Sequence, residues 1–436
     1  MKLNEIQRIK KAQEKYNMFH DDYKNIVETK LGLIYKSFSQ LGLDVQLHHS
    51  TNLYKMIINN ISKVYDYGIN RTFENEDFNE IYEELNVDKV MKQTNTYMNA
   101  FNDVILQVGW DDEEEELKLI IRLPHKTKVE WVNQKVKSVE YFIEFDTETK
   151  KEKWAYWTKT EHYYKIYQGS EFEKELPEGN NEGKNPFKIL PFVFMNNGWR
   201  DESFWDNFKG DDLFNSTTDI SIHLSFLNHI IKTQSFKQIV GKGDNLEALN
   251  GSILDPLSVM FLEGNNTELD VLDLQANYEQ LWKVLNEQAN SLATSYNISP
   301  SSFRMTGQVS SGFSLQIENL KLDTFVKSQQ EEFIIFEKQL FKIIKKVLGS
   351  TTNVDFTSNV VIDFNSPTYP MSAKEQIEIR EKEIELGLNN QINIIKEEKE
   401  IDDKTATETF NNNLNIRNKS YQRINEDEED IITEGL

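Results

Sequence analysis

The chain has 436 residues, 38% of them hydrophobic, including 26 Phe, 17 Tyr and 7 Trp, which calls for two or more domains and excludes global disorder. It has no cysteine, so disulfides, cysteine-ligated zinc and thiol nucleophiles are excluded. Its 72 acidic and 49 basic residues give a net charge of −23, the opposite of what a DNA-gripping surface carries, though compatible with plain solubility or with a wall along which DNA must slide.

The first residues, MKLNEIQRIKKAQEKY, lack the apolar stretch of a signal peptide. No apolar run is long enough to span a membrane as a helix. Residues 1–100 read as mostly helical, with Ile6, Ile9, Tyr16 and Phe19 near helical spacing, and Ile57, Ile58, Ile61, Val64 and Tyr65 likewise. Over 103–170 the pattern changes to short β-branched and aromatic segments between charged turns. This predicts one antiparallel sheet of about four to six strands, with DTETKKE as a hairpin turn. In ILPFVFM, Pro191 marks an edge strand.

Residues 201–235 predict a long helix with a stripe at Leu213, Ile220, Leu224, Leu227 and Ile231. Residues 237–274 are irregular and strand-like, with seven acidic and two basic residues. A second amphipathic helix is expected over 275–298, striped by Tyr278, Leu281, Trp282, Leu285, Ala289, Leu292 and Tyr296, and stopped by Pro300. The small, polar stretch 299–312, SPSSFRMTGQVSSG, reads as an exposed loop. A longer helix follows from about Phe313 to Leu348, with Gly349 as its stop. Two β-like pieces, VDF and VVIDF, precede the SPTYP breaker. Ser372 and Glu375 form a capping box that opens a helix ended by Gly387, a short helix runs to about Glu400, and the acidic tail 403–436 is expected to be mobile.

Motifs for chemistry are scarce. The run Asp111 to Glu116, like Glu426 to Asp430, reads as a solvated charge cluster, because a hard-metal site needs carboxylates converging from several directions. None of His20, His48, His49, His125, His162, His223 and His229 has a partner at ligand spacing. Gly241-Lys242-Gly243-Asp244 lacks the spacing and hydroxyl of a phosphate loop. Asp44 and Asp363 are linked to no base or nucleophile.

From roughly Ile189 onward the chain resembles the portal proteins of tailed double-stranded-DNA phages. ILPFVFMNNG and the helix with Asp212, Leu213, Asp219 and Ile220 resemble the family's proline-containing strand and following helix. Ser299-Pro300-Ser301-Ser302, leading through Thr306-Gly307 to Ser311-Gly312-Phe313-Ser314-Leu315, resembles the entry to its longest helix, with Ser314 where alanine is common. Phe364 to Pro370, Ser372 and Gly387-Leu388 resemble its C-terminal helical stretch, with Asn389 replacing a small polar residue.

The resemblance implies an α+β, mainly helical portal fold. Residues 1–200 would form the wing, with 313–370 as the long helix and wing return. The helices 201–236 and 275–298 would form the stem, 237–274 the clip, 299–312 the tunnel loop, and 371–436 the crown with its acidic tail. It implies a ring of about twelve copies at one capsid vertex, through which double-stranded DNA is packaged and ejected. Expected partners are the terminase large subunit, major capsid or scaffold protein and a head–tail adaptor. The expected place is the virion, after synthesis in the host cytoplasm, with no catalytic role, no cofactor, no metal and no membrane. Arg304, Thr306, Gln308, Ser310 and Ser311 would face DNA, and Lys242, Asp244, Asp255 and Glu263 would lie at the clip interface. The competing readings are another viral head protein (scaffold or adaptor), a carboxylate-metal nucleic-acid enzyme, and a soluble interaction protein.

Overall fold

Apolar residues at helical spacing make the described part of the first hundred residues largely helical. The computed structural model describes residues 3–34, 51–180, 182–200, 203–206, 211–234, 238–242, 268–272, 278–299, 312–352, 358–367, 373–399 and 401–433. It divides into two compact units, residues 1–305 with 319–367, and 306–318 with 368–436.

The first unit opens with α1 (Leu3–Phe19), α2 (Lys24–Ile34) and α3 (Leu53–Ile61). Asn52 caps α3 by accepting from the Lys55 amide at 3.0 Å, and Tyr54, Ile57, Ile58 and Ile61 are buried. α1 departs from its expected stripe. Ile6 is 49% exposed, whereas Arg8 and Lys15 are buried beside Ala12 and Phe19. Arg8 donates to the carbonyls of Pro124 and Thr127 at 2.9 and 3.1 Å, and Lys15 pairs with Asp211 at 2.8 Å. Long cationic side chains can be buried when fixed acceptors meet their charged heads.

Strand β1 (Ile69–Phe73) interrupts the helical region. It pairs antiparallel with β12 (Val360–Phe364), Ile69 opposite Phe364 and Phe73 opposite Val360. Its partner lies almost three hundred residues away, so no local periodicity marks it. α4 (Asp77–Glu84) and α5 (Val87–Phe101) follow, and α5 buries Met91, Thr94, Asn95, Met98 and Phe101.

The expected single sheet is two sheets. β2 (Asp103–Asp111) lies between β3 (Glu116–Arg122) and β9 (Phe192–Asn196), while β4 (Thr127–Val132), β5 (Lys135–Asp146), β6 (Lys151–Trp157), β7 (His162–Gln168) and β8 (Glu171–Glu175) form a five-stranded meander. A single 3₁₀ turn at Pro124–Lys126 separates them. Pro124 has no N–H to continue a ladder, so the chain leaves one sheet and starts another. β9 is an edge strand beginning just after Pro191, and Asp146 and Lys151 flank the predicted hairpin turn.

The largest core combines both sheets with α4, α5 and α8 (Gly312–Thr352), through residues such as Phe78, Met98, Leu106, Trp157, Phe333 and Phe341. Phe333, Phe336, Leu340, Ile343 and Val347 stand at helical spacing along α8, and Phe333, Phe336, Leu340 and Val347 are buried. It does not stop at Gly349 but continues to Thr352. The hydroxyls of Ser350, Thr351 and Thr352 return to the carbonyls of Lys346, Val347 and Leu348, and burial of Val347 and Leu348 anchors the last turns despite the glycine.

In the second unit, α9 (Ala373–Glu385) ends as expected at Gly387, whose φ is +68°. The Leu388 amide donates to Glu383 and the Gly387 amide to Ile384, a pairing that only a left-handed residue completes without strain. α10 (Gln391–Lys399) is the expected short helix. In the tail, α11 covers Asp403–Thr433. Asp402 accepts from the amides of Lys404 and Thr405 at its start, satisfying donors that a helix end otherwise leaves open. Lys396 pairs with Asp403 at 2.6 Å across the junction.

Candidate assembly and channel site

Two helices of the first unit frame the segment expected to carry function. α6 (Asp212–Gln234) begins later than expected, while Phe204 and Trp205 ahead of it are buried outside any helix. Leu213, Ile220, Leu224 and Leu227 of its predicted stripe are buried, and Ile231 is 42% exposed. α6 also buries Thr217, Thr218, Ser221 and Ser225. The hydroxyls of Thr218, Ser221 and Ser225 donate to carbonyls one turn earlier, which satisfies them inside the helix itself.

α7 (Tyr278–Ser295) packs against α6 through Leu285, beside Ile220, Leu224 and Leu227. The Tyr296 hydroxyl donates to the Asp212 carboxylate at 2.6 Å, setting the end of α7 beside the start of α6, so the helices run antiparallel. Burial, with Asp212 accepting that proton, pushes the Tyr296 phenol well above its ordinary range. α7 stops at Asn297 (φ +63°), with Ile298 donating to the Ala293 carbonyl, so the stop precedes Pro300.

The α7 stripe divides along its length, open in the first turns and covered further on. Leu285 and Leu292 are buried, but Leu281, Trp282 and Val284 are 44%, 52% and 47% exposed. Between the two helices in sequence lie β10 (Gln238–Lys242) and β11 (Glu268–Leu272), which pair antiparallel with Lys242 opposite Glu268.

Of the expected site residues, Lys242 ends β10. Asp244, Asp255 and Glu263, like Arg304, Thr306, Gln308, Ser310 and Ser311, lie outside the described residues, as do His48, His49 and Asp44. The acidic run at 111–116 sits at the β2–β3 turn, where Lys118 pairs with Asp111 at 2.6 Å and Glu114 at 3.1 Å. His162 stacks on Trp157, and His125 is buried beside Tyr16. Among the described residues no group of His, Asp and Glu converges as a metal site, and no helix is long and apolar enough to cross a membrane.

Sequence reasoning missed the polar ties that hold the helices in place. Lys15 pairs with Asp211 and Lys30 with Asp219, both at 2.8 Å, which fastens α1 and α2 to the start of α6. Glu337 of α8 is fully buried and accepts two hydrogen bonds from Arg71, at 2.7 and 3.0 Å, and one from Tyr65 at 2.8 Å. Asp219 was visible as a helix acid, but its partner lies far away in sequence and no spacing rule connects them.

Two antiparallel helices thus flank a β excursion in the chain and precede the long helix α8. The family model for phage portal proteins of the SPP1 Gp6-like type matches residues 3–433. The chain belongs to that family and has a phage portal function as a component of the virion. Among solved structures it is similar to a chain in the neck of an empty gene transfer agent particle, with TM-score 0.44, 8% identity, and coverage of 78% of this chain and 86% of that one. It is also similar to a chain in the virion of a native gene transfer agent particle, with TM-score 0.43, 8% identity, and coverage of 78% and 88%. No curated protein matches.

Proposed function

We propose that the chain closes into a ring of about twelve copies at one vertex of the phage head. Its hole passes the genome during packaging and ejection, and its outer parts receive the terminase large subunit, the capsid or scaffold protein and a head–tail adaptor. In this reading the wing is 1–200 with 313–370, the stem 201–236 and 275–298, the clip 237–274, the tunnel loop 299–312 and the crown 371–436. The role is structural, with no catalytic step.

The observation that supports ring closure is the exposed apolar start of α7. Leu281, Trp282 and Val284 are exposed in the first two turns of a helix that packs further along through Leu285 and Leu292. A repeated head-to-tail contact between copies would cover that stretch. Native mass spectrometry at micromolar protein is expected to show a closed ring, and Trp282→Asp to shift the population to monomer while leaving the thermal melt of the subunit unchanged. Monomer alone across a range of concentration and salt overturns the ring. A Trp282→Asp ring as stable as the parent removes α7 from the interface.

The acidity of 237–274 and of the whole chain makes a second expectation. Free duplex DNA binds the isolated ring weakly, and the binding disappears as salt rises, because few phosphates are neutralised. Tight, salt-resistant binding in a filter or anisotropy titration contradicts a smooth channel wall.

A further inference from the structure

The meander β4–β8 has two faces. Val139, Tyr141, Ala155 and Trp157 on one face enter the core. The opposite face of such a sheet is ordinarily polar. Here it carries Phe142, Trp154, Tyr156 and Tyr167, interleaved with Lys128 and Lys165. With α1 and the segment Ser203–Trp205, this face bounds an open groove of about 1240 Å³. Small-molecule pockets measure roughly 300–1,000 Å³, so the space suits a length of extended chain better than a metabolite.

The charges of the groove are unevenly satisfied. Lys165 is ion-paired with Glu140 and lies 3.9 Å from the centre of the Tyr156 ring. Arg8 is engaged by the carbonyls of Pro124 and Thr127. The Lys128 ammonium lies 3.8 Å from the centre of Trp154 and 4.9 Å from that of Tyr167, yet among the described residues no carboxylate is within ion-pair distance of it. Burial pulls Lys128 below the usual lysine range, with Glu140, Glu5 and Glu152 opposing from further off. Two polar atoms of lining residues are closed off behind the wall. The Trp205 indole N–H and Nδ1 of His125 are buried without a hydrogen-bond partner.

A half-buried cation with no carboxylate at ion-pair distance, set among aromatic walls, calls for a ligand that brings both carboxylates and apolar bulk. We infer that this groove is a docking site for an acidic, aromatic-containing peptide segment of a protein partner, with a carboxylate seated on Lys128. Nucleic acid fits less well. Lysines already occupy the faces of Trp154 and Tyr156 on which bases would stack, and Lys128 can seat one carboxylate but cannot offset a phosphate at every residue beside Glu130, Glu140 and Glu152. The lining comes from α1, the meander and Ser203–Trp205, and includes no residue of the tunnel loop.

The test uses the intact protein and fluorescence anisotropy with a labelled, end-capped octapeptide alternating glutamate and phenylalanine. Its controls are the same peptide with glutamine for glutamate, and oligothymidylate. The glutamate peptide is expected to bind at least about tenfold tighter than the glutamine peptide, since a charge-assisted contact replaces a neutral one. Lys128→Met, which keeps an apolar chain against Trp154, is expected to lose a similar factor with an unchanged thermal melt. Lys174→Met, on the same sheet but outside the groove lining, keeps the parent affinity. If Lys128→Met does not fold, Phe172→Ala at the exposed rim serves instead, with a severalfold loss expected. The inference is overturned by no binding of the glutamate peptide, by equal binding of the glutamine peptide, by parent affinity in the folded groove variant, or by tighter binding of oligothymidylate.

Discussion

Replacing Glu337 by alanine is expected to destabilise the first unit by about 3–5 kcal/mol, the usual cost of stranding one member of a buried ion pair. Glu337 has no exposed surface and receives Arg71 in a two-bond fork together with the Tyr65 hydroxyl. Burial alone would lower the Arg71 pKa, but its bonds to Glu337 and Asp88 outweigh that and hold it above its ordinary range. Removing the carboxylate leaves a guanidinium in the core with only Asp88 at its exposed edge. The contact joins α8 to β1, so the loss should also free the β1–β12 pair. Denaturant unfolding followed by tryptophan fluorescence measures the shift, and amide exchange in residues 69–73 and 360–364 reports the local opening. The double variant Arg71→Met with Glu337→Leu should recover much of the loss, because it removes the charge as well as its partner. A midpoint unchanged in Glu337→Ala would show that the pair carries no net stability.

Replacing residues 306–311 with a shorter glycine–serine link is expected to leave ring assembly intact and to sharply reduce packaged or retained genomes. The stretch follows the Asn297 stop of α7 and precedes α8. Thr306, Gln308, Ser310 and Ser311 are uncharged, so in the proposed ring they would touch the backbone of passing DNA without trapping it, while Arg304 would hold phosphates transiently or pair with a neighbouring subunit. Native mass spectrometry checks the ring, and nuclease-protected DNA in assembled heads measures packaging. Protected DNA at the parent level would make the segment a connector only. Loss of the ring would instead assign it to assembly and remove the channel role.

The helical parts were legible wherever one local pattern decided the outcome. The stripe of α6 from Leu213 to Leu227 is buried, and Phe333, Leu340 and Val347 of α8 face the core, because helical periodicity is itself the record of a buried face. Gly387 and Pro191 marked a helix end and an edge strand through backbone geometry that any context must respect. The order of helix, β excursion, helix and long helix, with the motifs strung along it, was enough to indicate the portal family.

The tertiary structure decided what depends on distant partners. β1 is a strand because β12 returns to pair with it, and the β-rich region became two sheets because the turn at Pro124 redirects the chain. The stripe of α7 could not show that Leu285 would be covered while Trp282 stayed open, since periodicity reveals that a face is apolar and not what packs on it. Nor could it place Arg8 and Lys15 inside, where their acceptors lie more than a hundred residues away. Local sequence determined the elements through backbone preference and periodicity, whereas the burial of charge, the pairing of strands and the faces left open were decided by contacts that exist only once the chain has folded.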